Sequence, residues 1–349
     1  AQSFPFARII CVCYSTDTAK SAKKFYIEAG IKTIWCPKGK PILDFFRTIL
    51  SELDLSGLSV IEWHPTAKAF PELSKNINQA LKQTIEESRD TLVTTATFGR
   101  KWIRNTIRNV IFIQNLVSLC KTQLPIIIIA SGPSLSECIP ILLKIRSKVR
   151  IWATPSSVST LANSSIYPDL VIMTDGGFYA AKHLERHKKA PIAMPLTASP
   201  NCWSKKGPVT LIREGYHFEN QLLNLLSIQA PLILPAGTVS ASAILLAKKL
   251  QPPSLWVIGL DFCYQDIHTH SRPNLTETLF QLKSNRTLPQ LSNQYRFVIE
   301  NQTHSFSTEK YPVNQSQNKK QIIRNSKALN SYSSWFSVSN LNIYRAFTG

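Results

Sequence analysis

Acidic residues are scarce in this chain. Of 349 residues, 21 are Asp or Glu against 40 Lys or Arg, which leaves a net charge of +19. The basic residues come as scattered pairs, such as Lys23-Lys24, Lys188-Lys189 and Lys248-Lys249, with no dense block and no aromatic-basic motif. That pattern reads as a solvated basic surface, with a lesser part in attracting an anionic ligand or partner, and specific nucleic-acid binding is not expected. No apolar run approaches the ~18–20 residues that cross a bilayer, so no membrane span is expected. Ala1 to Arg8 lack the charged head and long apolar stretch of a secretory signal, and Ala1 rather than Met opens the sequence, as in a fragment or a trimmed chain. The seven cysteines (Cys11, Cys13, Cys36, Cys120, Cys138, Cys202 and Cys263) form no CxxC pair and follow no regular spacing. Several sit inside apolar runs, so they read as reduced, buried thiols of a cytoplasmic protein, and no zinc site is expected. The phosphate-binding patterns GxxxxGK[ST] and GxGxxG are both missing.

What is present is globular. Hydrophobic residues make up 44% and charged residues 17%, and the length suits two domains. Residues 8–63 alternate strand and helix patterns: strands at 8–14, 32–35 and 58–62, helices at 18–30 and 41–53. That order implies a small parallel sheet. Residues 70–121 read as helical throughout. From 125 the alternation resumes, with strands at 125–130, 149–153, 170–174, 192–195, 209–212 and 255–260 and helices at 135–145, 157–163, 178–187, 218–227 and 240–250. The expected fold class is α/β, a doubly wound Rossmann-like parallel sheet with an additional, smaller N-terminal α/β unit. The boundaries follow: an N-terminal unit over 1–65, a helical connector over 66–123, a nucleotide-binding domain over 124–270 and a polar insertion or tail over 271–349. Asn, Gln, Ser and Lys dominate from 271 to 326, as in an insertion, a lid or a flexible flank. A final segment offers Leu329, Tyr332, Trp335 and Phe336 for docking as a C-terminal helix.

Five motifs fall at the ends of the apolar strands. Ser131-Gly132-Pro133-Ser134 follows the Ile-rich run 126–129 and opens a helix. Gly132 allows close backbone approach and Pro133 fixes the turn, while Ser134 with Glu137 forms a capping-box pattern. The same free N–H groups suit a phosphate; the turn also works as a well-capped strand-to-helix junction. Ser156 and Ser157 follow the next strand and can line a base or sugar. Pro168-Asp169 precedes a third strand, where Asp169 reads as structural or as part of the nucleotide site, and Asp175-Gly176-Gly177 ends it. A carboxylate there faces the crevice of an open sheet and suits a ribose hydroxyl or Mg²⁺. Gly237, Thr238 and Ser240 give a second hydroxyl-rich helix start. Asp261 terminates the last strand, and His270 follows closely enough to share its rim and serve as a general base. Asn105 and Asn109, four apart on one helical face, either reach the nucleotide or serve packing and capping.

Taken in order, Ser-Gly-Pro-Ser-Leu, Pro168-Asp169 with Asp175, Gly237-Thr-Val-Ser240, Gly259-Leu-Asp261 and Thr269-His270 resemble the MptE-like domain of motility accessory factor (Maf) proteins. The segment from Phe98 to Asn109 resembles the helix that precedes that domain, and the likeness runs over residues 60–271. The resemblance implies a core related to sialyltransferases and a glycosyltransferase that moves a nonulosonic acid, of the pseudaminic or legionaminic type, from a CMP-sugar to Ser or Thr of flagellin. It implies His270, Asp261 and Asp175 as catalytic residues, with Gly132, Pro133, Ser134, Ser156 and Ser157 at the CMP phosphate. The archaeal MptE branch offers a different activity, an ATP- and Mg²⁺-dependent 6-hydroxymethylpterin diphosphokinase. A non-catalytic flagellin- or carbohydrate-binding protein is a third alternative.

Overall fold

The six apolar runs expected as strands between 125 and 260 are strands, and along each one odd and even residues go to opposite layers. This is seen in a computed structural model that describes residues 8–50, 54–55, 57–185, 191–205, 207–265, 267–300, 309–312, 320–324, 326, 329–330, 332–333, 336 and 343–345. The chain divides into two units, Ala1–Arg100 and Lys101–Gly349.

In the first unit β1 (Ile10–Val12) and β2 (Thr33–Trp35) pair in parallel. Helices α1 (Thr16–Ser21) and α2 (Lys23–Glu28) connect them, and α3 (Ile42–Ile49) and α4 (His64–Ala69) follow; α5 (Pro71–Ile111) begins in this unit and ends in the second. Trp35, Phe46 and Leu50 form a small core with Ile77 and Ala80 of α5. The strand expected at 58–62 does not form: residues 58–63 make no β-pairing with the described residues, and Val60 and Ile61 stand exposed. A strand without a partner is not stable alone.

The second unit is built on seven parallel strands in the order β12-β8-β3-β4-β5-β6-β7. They are β3 (Ile126–Ile129), β4 (Arg150–Ala153), β5 (Leu170–Ile172), β6 (Ile192–Met194), β7 (Val209–Leu211), β8 (Leu255–Ile258) and β12 (Tyr344–Arg345). Ile127 and Ile129 face one core with Ile151, Val171 and Met194. Ile126 and Ile128 face the other with Trp152, Ile172 and Val257. Side-chain alternation along a strand requires this division, and both faces must be covered when the runs are apolar throughout. Helices α6 (Leu135–Ile145), α7 (Val158–Asn163), α8 (Phe178–Lys182) and α9 (His217–Leu225) cover the first face through Leu135, Leu142, Leu161, Ala181 and Leu223. Val110 of α5 joins them. Helix α10 (Val239–Lys249) covers the second with Ala241, Ala243, Ile244 and Ala247, small residues that let it lie close to the sheet.

The chain runs outward from β3 to β7 and then returns to place β8 on the other side of β3. This reversal between β3 and β8 is the topological switch point, where ligands bind in open α/β sheets. The described part of the polar tract holds regular structure that its composition does not signal. It carries α11 (Leu275–Leu282) and α12 (Gln290–Glu300), joined by a tilted Phe280–Phe297 ring contact. Its β10 (Glu309–Pro312) and β11 (Lys320–Arg324) form an antiparallel sheet with β9 (Tyr264–Gln265), which precedes the tract. Near the end, Leu329, Tyr332 and Phe336 have helical backbone, and Phe336 is buried against the second face. Trp335 lies outside the described residues. No helix of the described residues is long and apolar enough to cross a membrane.

Candidate functional site

A cavity of about 370 Å³ opens at the C-terminal rim of β3, β4 and β8. Gly132 and Ser156 line it from the turns after β3 and β4, Asp175 from the end of the β5 segment, and Thr238 and Ser240 from the start of α10. Asp261 and His270 complete the set. The structure thus brings seven of the expected site residues to one place.

The helix start after β3 is organised differently from the expectation. Ser134 makes no side-chain cap, so the expected box with Glu137 is not formed. Asp261 intervenes instead: its Oδ2 accepts the backbone N–H of Ser134 at 2.7 Å and its Oδ1 accepts the Ser134 hydroxyl at 2.5 Å. Gly132 N–H donates to the Gly259 carbonyl at 2.7 Å, and the N–H groups of Leu135, Ser136 and Glu137 are taken within the turn. A carboxylate already sits at the positive pole of α6, and the donors expected to hold a phosphate are spent. This arrangement depends on glycine. A Cβ on Gly132 would lie 2.5 Å from Asp261 Oδ2, and one on Gly259, whose φ is +71°, would lie 2.5 Å from the Ala130 carbonyl oxygen. Pro133 shapes this turn without lining the cavity.

His270 is held from behind. The N–H of the next residue, Ser271, donates to the Ser131 carbonyl at 2.7 Å, and its hydroxyl shares a hydrogen bond with Thr160 of α7 at 3.0 Å. Asn274, the N-cap of α11, donates to the Ser271 carbonyl at 3.1 Å. His270 Nδ1 pairs with the Thr269 hydroxyl at 2.9 Å. Burial first, then the neighbouring His183, push the His270 pKa down to about 4, so the ring is neutral near pH 7. Ser131, Thr154 and Ser156 form a hydroxyl chain across the ends of β3 and β4, with Ser156 to Ser131 at 2.7 Å. Cys263 also lines the cavity, but burial and then Asp261 raise its thiol to about 11, which leaves it protonated and unreactive.

Several expected residues take structural places. Asp169 lies at the opposite end of β5, where it accepts Ile151 N–H at 2.8 Å and pairs with Arg150 and Arg146. Ser157 is buried and donates to the carbonyls of Ile129 and Thr154. Gly237, at φ +74°, supplies a left-handed turn before the Thr238 cap, whose hydroxyl accepts Ala241 N–H at 3.1 Å. Asn105 and Asn109 share a helical face, but that face is buried and not turned to the cavity. Asn105 Nδ2 donates to the carbonyls of Gly176 and Thr197, both at 3.0 Å. Asn109 Nδ2 donates to those of Leu196 and Ala198, at 2.6 and 2.8 Å, and its Oδ1 accepts Trp203 Nε1–H at 2.8 Å. Among the described residues no group of three His, Cys, Asp or Glu is arranged to hold a metal ion, and one oxygen of Asp175 accepts Gly177 N–H at 2.7 Å.

Two features carry no sequence motif. His183, one turn past Tyr179, faces the cavity from the segment after α8, and its Nδ1 is buried with no hydrogen-bond partner among the described residues. Its spacing to Tyr179 and Ala180 was the available signal, since all three share a helical face. At the end of β7, burial raises the Glu214 pKa to about 7. Its Oε2 accepts the Thr197 hydroxyl at 2.7 Å, and the neighbouring Glu219 accepts the backbone N–H groups of Leu196 and Glu214.

Three similarities bear on this geometry. Residues 100–267 match the family model described as 6-hydroxymethylpterin diphosphokinase MptE-like. The chain is 28% identical over 236 residues to an uncharacterized protein of Treponema pallidum (strain Nichols), a match that covers 67% of this chain and 52% of that protein. Its fold is similar to the Maf glycosyltransferase from Magnetospirillum magneticum AMB-1, with a TM-score of 0.53 and 12% identity over 94% of this chain and 48% of that one. At such identity the likeness is one of fold. The chain spans about half the length of both relatives.

Proposed function

From a chain that carries an MptE-like domain on a Maf-like fold, we propose a glycosyltransferase that moves a nonulosonic acid from a CMP-sugar to a Ser or Thr of flagellin. The observation that carries this reading is a neutral histidine, His270, fixed over a hydroxyl-lined cavity at the switch point of a parallel sheet. An acceptor hydroxyl must lose its proton as it attacks, and an unprotonated imidazole within the cavity is suited to take it. In the step, the acceptor oxygen bonds to the anomeric carbon as the bond from that carbon to the phosphate oxygen breaks. The electron pair leaves with CMP and the proton goes to His270. Thr269 orients the ring through Nδ1. Ser131, Thr154 and Ser156 supply hydroxyl donors at the nucleotide. Asp175 is available to the sugar hydroxyls, and Asp261 acts at one remove, by fixing the Ser134 turn.

The test is transfer from CMP-sugar to flagellin. His270→Ala should lower kcat by about 100-fold or more, the usual worth of a positioned base. The acid limb of kcat/KM should fall near the depressed pKa of about 4 and not at the ordinary 6.5. A loss of only a few-fold would remove His270 as the base. The family description favours a second reading, a pterin diphosphokinase; turnover of a hydroxymethylpterin with Mg²⁺-ATP and none of CMP-sugars would establish it instead.

A further inference from the structure

The usual place for a phosphate at a strand-turn-helix junction is the helix N-terminus. Here that place is filled by the Asp261 carboxylate, and the Gly132 and Ser134 N–H groups are already paired. An anionic ligand in this cavity needs donors elsewhere. Among the described residues that line it there is no Lys or Arg, and the nitrogen side chains are His183 and His270. The two imidazoles are near enough that His183 lowers the proton affinity of His270. His183 Nδ1 is buried with no hydrogen-bond partner among the described residues. A buried polar group calls for a partner, and of the five unpartnered side-chain atoms among the described residues only His183 Nδ1 belongs to a residue that lines the cavity.

We propose that His183, with the hydroxyls of Ser131, Thr154 and Ser156, forms the oxyanion subsite of the cavity beside His270 and that it takes a ligand with a single phosphate group. This deepens the nucleotide reading of the cavity and rests on it. An oxyanion there gives the unpartnered His183 Nδ1 a partner, and Ser131, Thr154 and Ser156 add neutral donors on the β3–β4 side. A second or third phosphate gains nothing further, because the charged lining groups described are the carboxylates Asp175 and Asp261. The subsite therefore selects a nucleoside monophosphate, or its sugar ester, over a triphosphate.

Calorimetric titration in metal-free buffer with cytidine, CMP, CDP and CTP tests this. CMP should bind wild type about tenfold or more tighter than cytidine, as hydrogen bonds to a charged group allow. CDP and CTP should bind no tighter than CMP. His183→Ala should bring CMP close to cytidine while leaving cytidine unchanged, and His183→Gln, which retains an N–H donor, should recover part of the difference. An unchanged CMP-to-cytidine ratio in both variants, or a tightest complex with CTP, overturns the proposal. Inorganic phosphate is titrated in parallel, following the imidazole signals of both rings. If phosphate moves neither ring, the subsite does not exist. If it moves both while no nucleoside binds, the subsite stands and the nucleotide reading fails.

Discussion

Asp261 shows how a residue can be legible and its work not. A carboxylate at the end of a buried strand next to a switch point reads as a ligand group, and it does line the cavity. Yet both its oxygens serve Ser134, 127 residues away in sequence, and no local pattern encodes that pairing. Asp261→Asn should cost about 2–4 kcal/mol, because two charge-assisted bonds are lost or weakened. Gly132→Ala should cost about 1–3 kcal/mol by forcing the carboxylate aside. Urea unfolding measures both, and an Asp261→Asn variant as stable as wild type would mean that the carboxylate does not hold the turn. His183 is the opposite case. It belongs to no motif, and only the helical face it shares with Tyr179 and Ala180 marks it. His270 was visible because Thr269-His270 follows so soon after the last strand, but its low proton affinity comes from burial and from His183, neither of which the sequence displays.

At the level of elements, the strands from β3 to β8 were readable because each is an unbroken apolar run, and a strand buried on both faces leaves that mark. β12 was not, since Arg345 interrupts the short apolar stretch of Ile343, Tyr344, Ala346 and Phe347; Tyr344 stacks on the half-exposed Trp256 of β8 and is fixed by that partner. Helices α11 and α12 were hidden by the polar composition of their tract, although Asn274 three residues before Glu277 is an N-cap signal that the structure uses. The spacing of Asn105 and Asn109 told which residues share a face but not whether that face is wet. In the structure they tie α5 to the loops after β5 and β6. Asn109→Ala should cost at least about 2 kcal/mol, since it strands the carbonyls of Leu196 and Ala198 and the indole N–H of Trp203 in a buried place. A denaturation midpoint matching wild type would show that these groups find other partners.

The molecule as a whole carries a large positive charge, and its buried carboxylates make its stability depend on pH. Glu214 holds its proton more tightly folded than unfolded, at about 7 against the ordinary 4.5, because burial penalises the charge. The stability it contributes is therefore fully present below pH 4.5 and lost as the pH rises through 7. Glu214→Gln should flatten the melting temperature against pH over that interval and raise it at neutral pH relative to wild type. An unchanged slope would mean that Glu214 ionises freely in the folded chain. The same part of the fold has a thermodynamic consequence for ligand binding. Asn105 grips the carbonyl of Gly176 beside Asp175, and Ser199 N–H donates to the Asp175 carbonyl at 3.1 Å. This side of the cavity is rigid before anything enters it. The conformational freedom of that wall is given up when the chain folds, so a ligand that fits meets a preorganised surface and loses little affinity to ordering it.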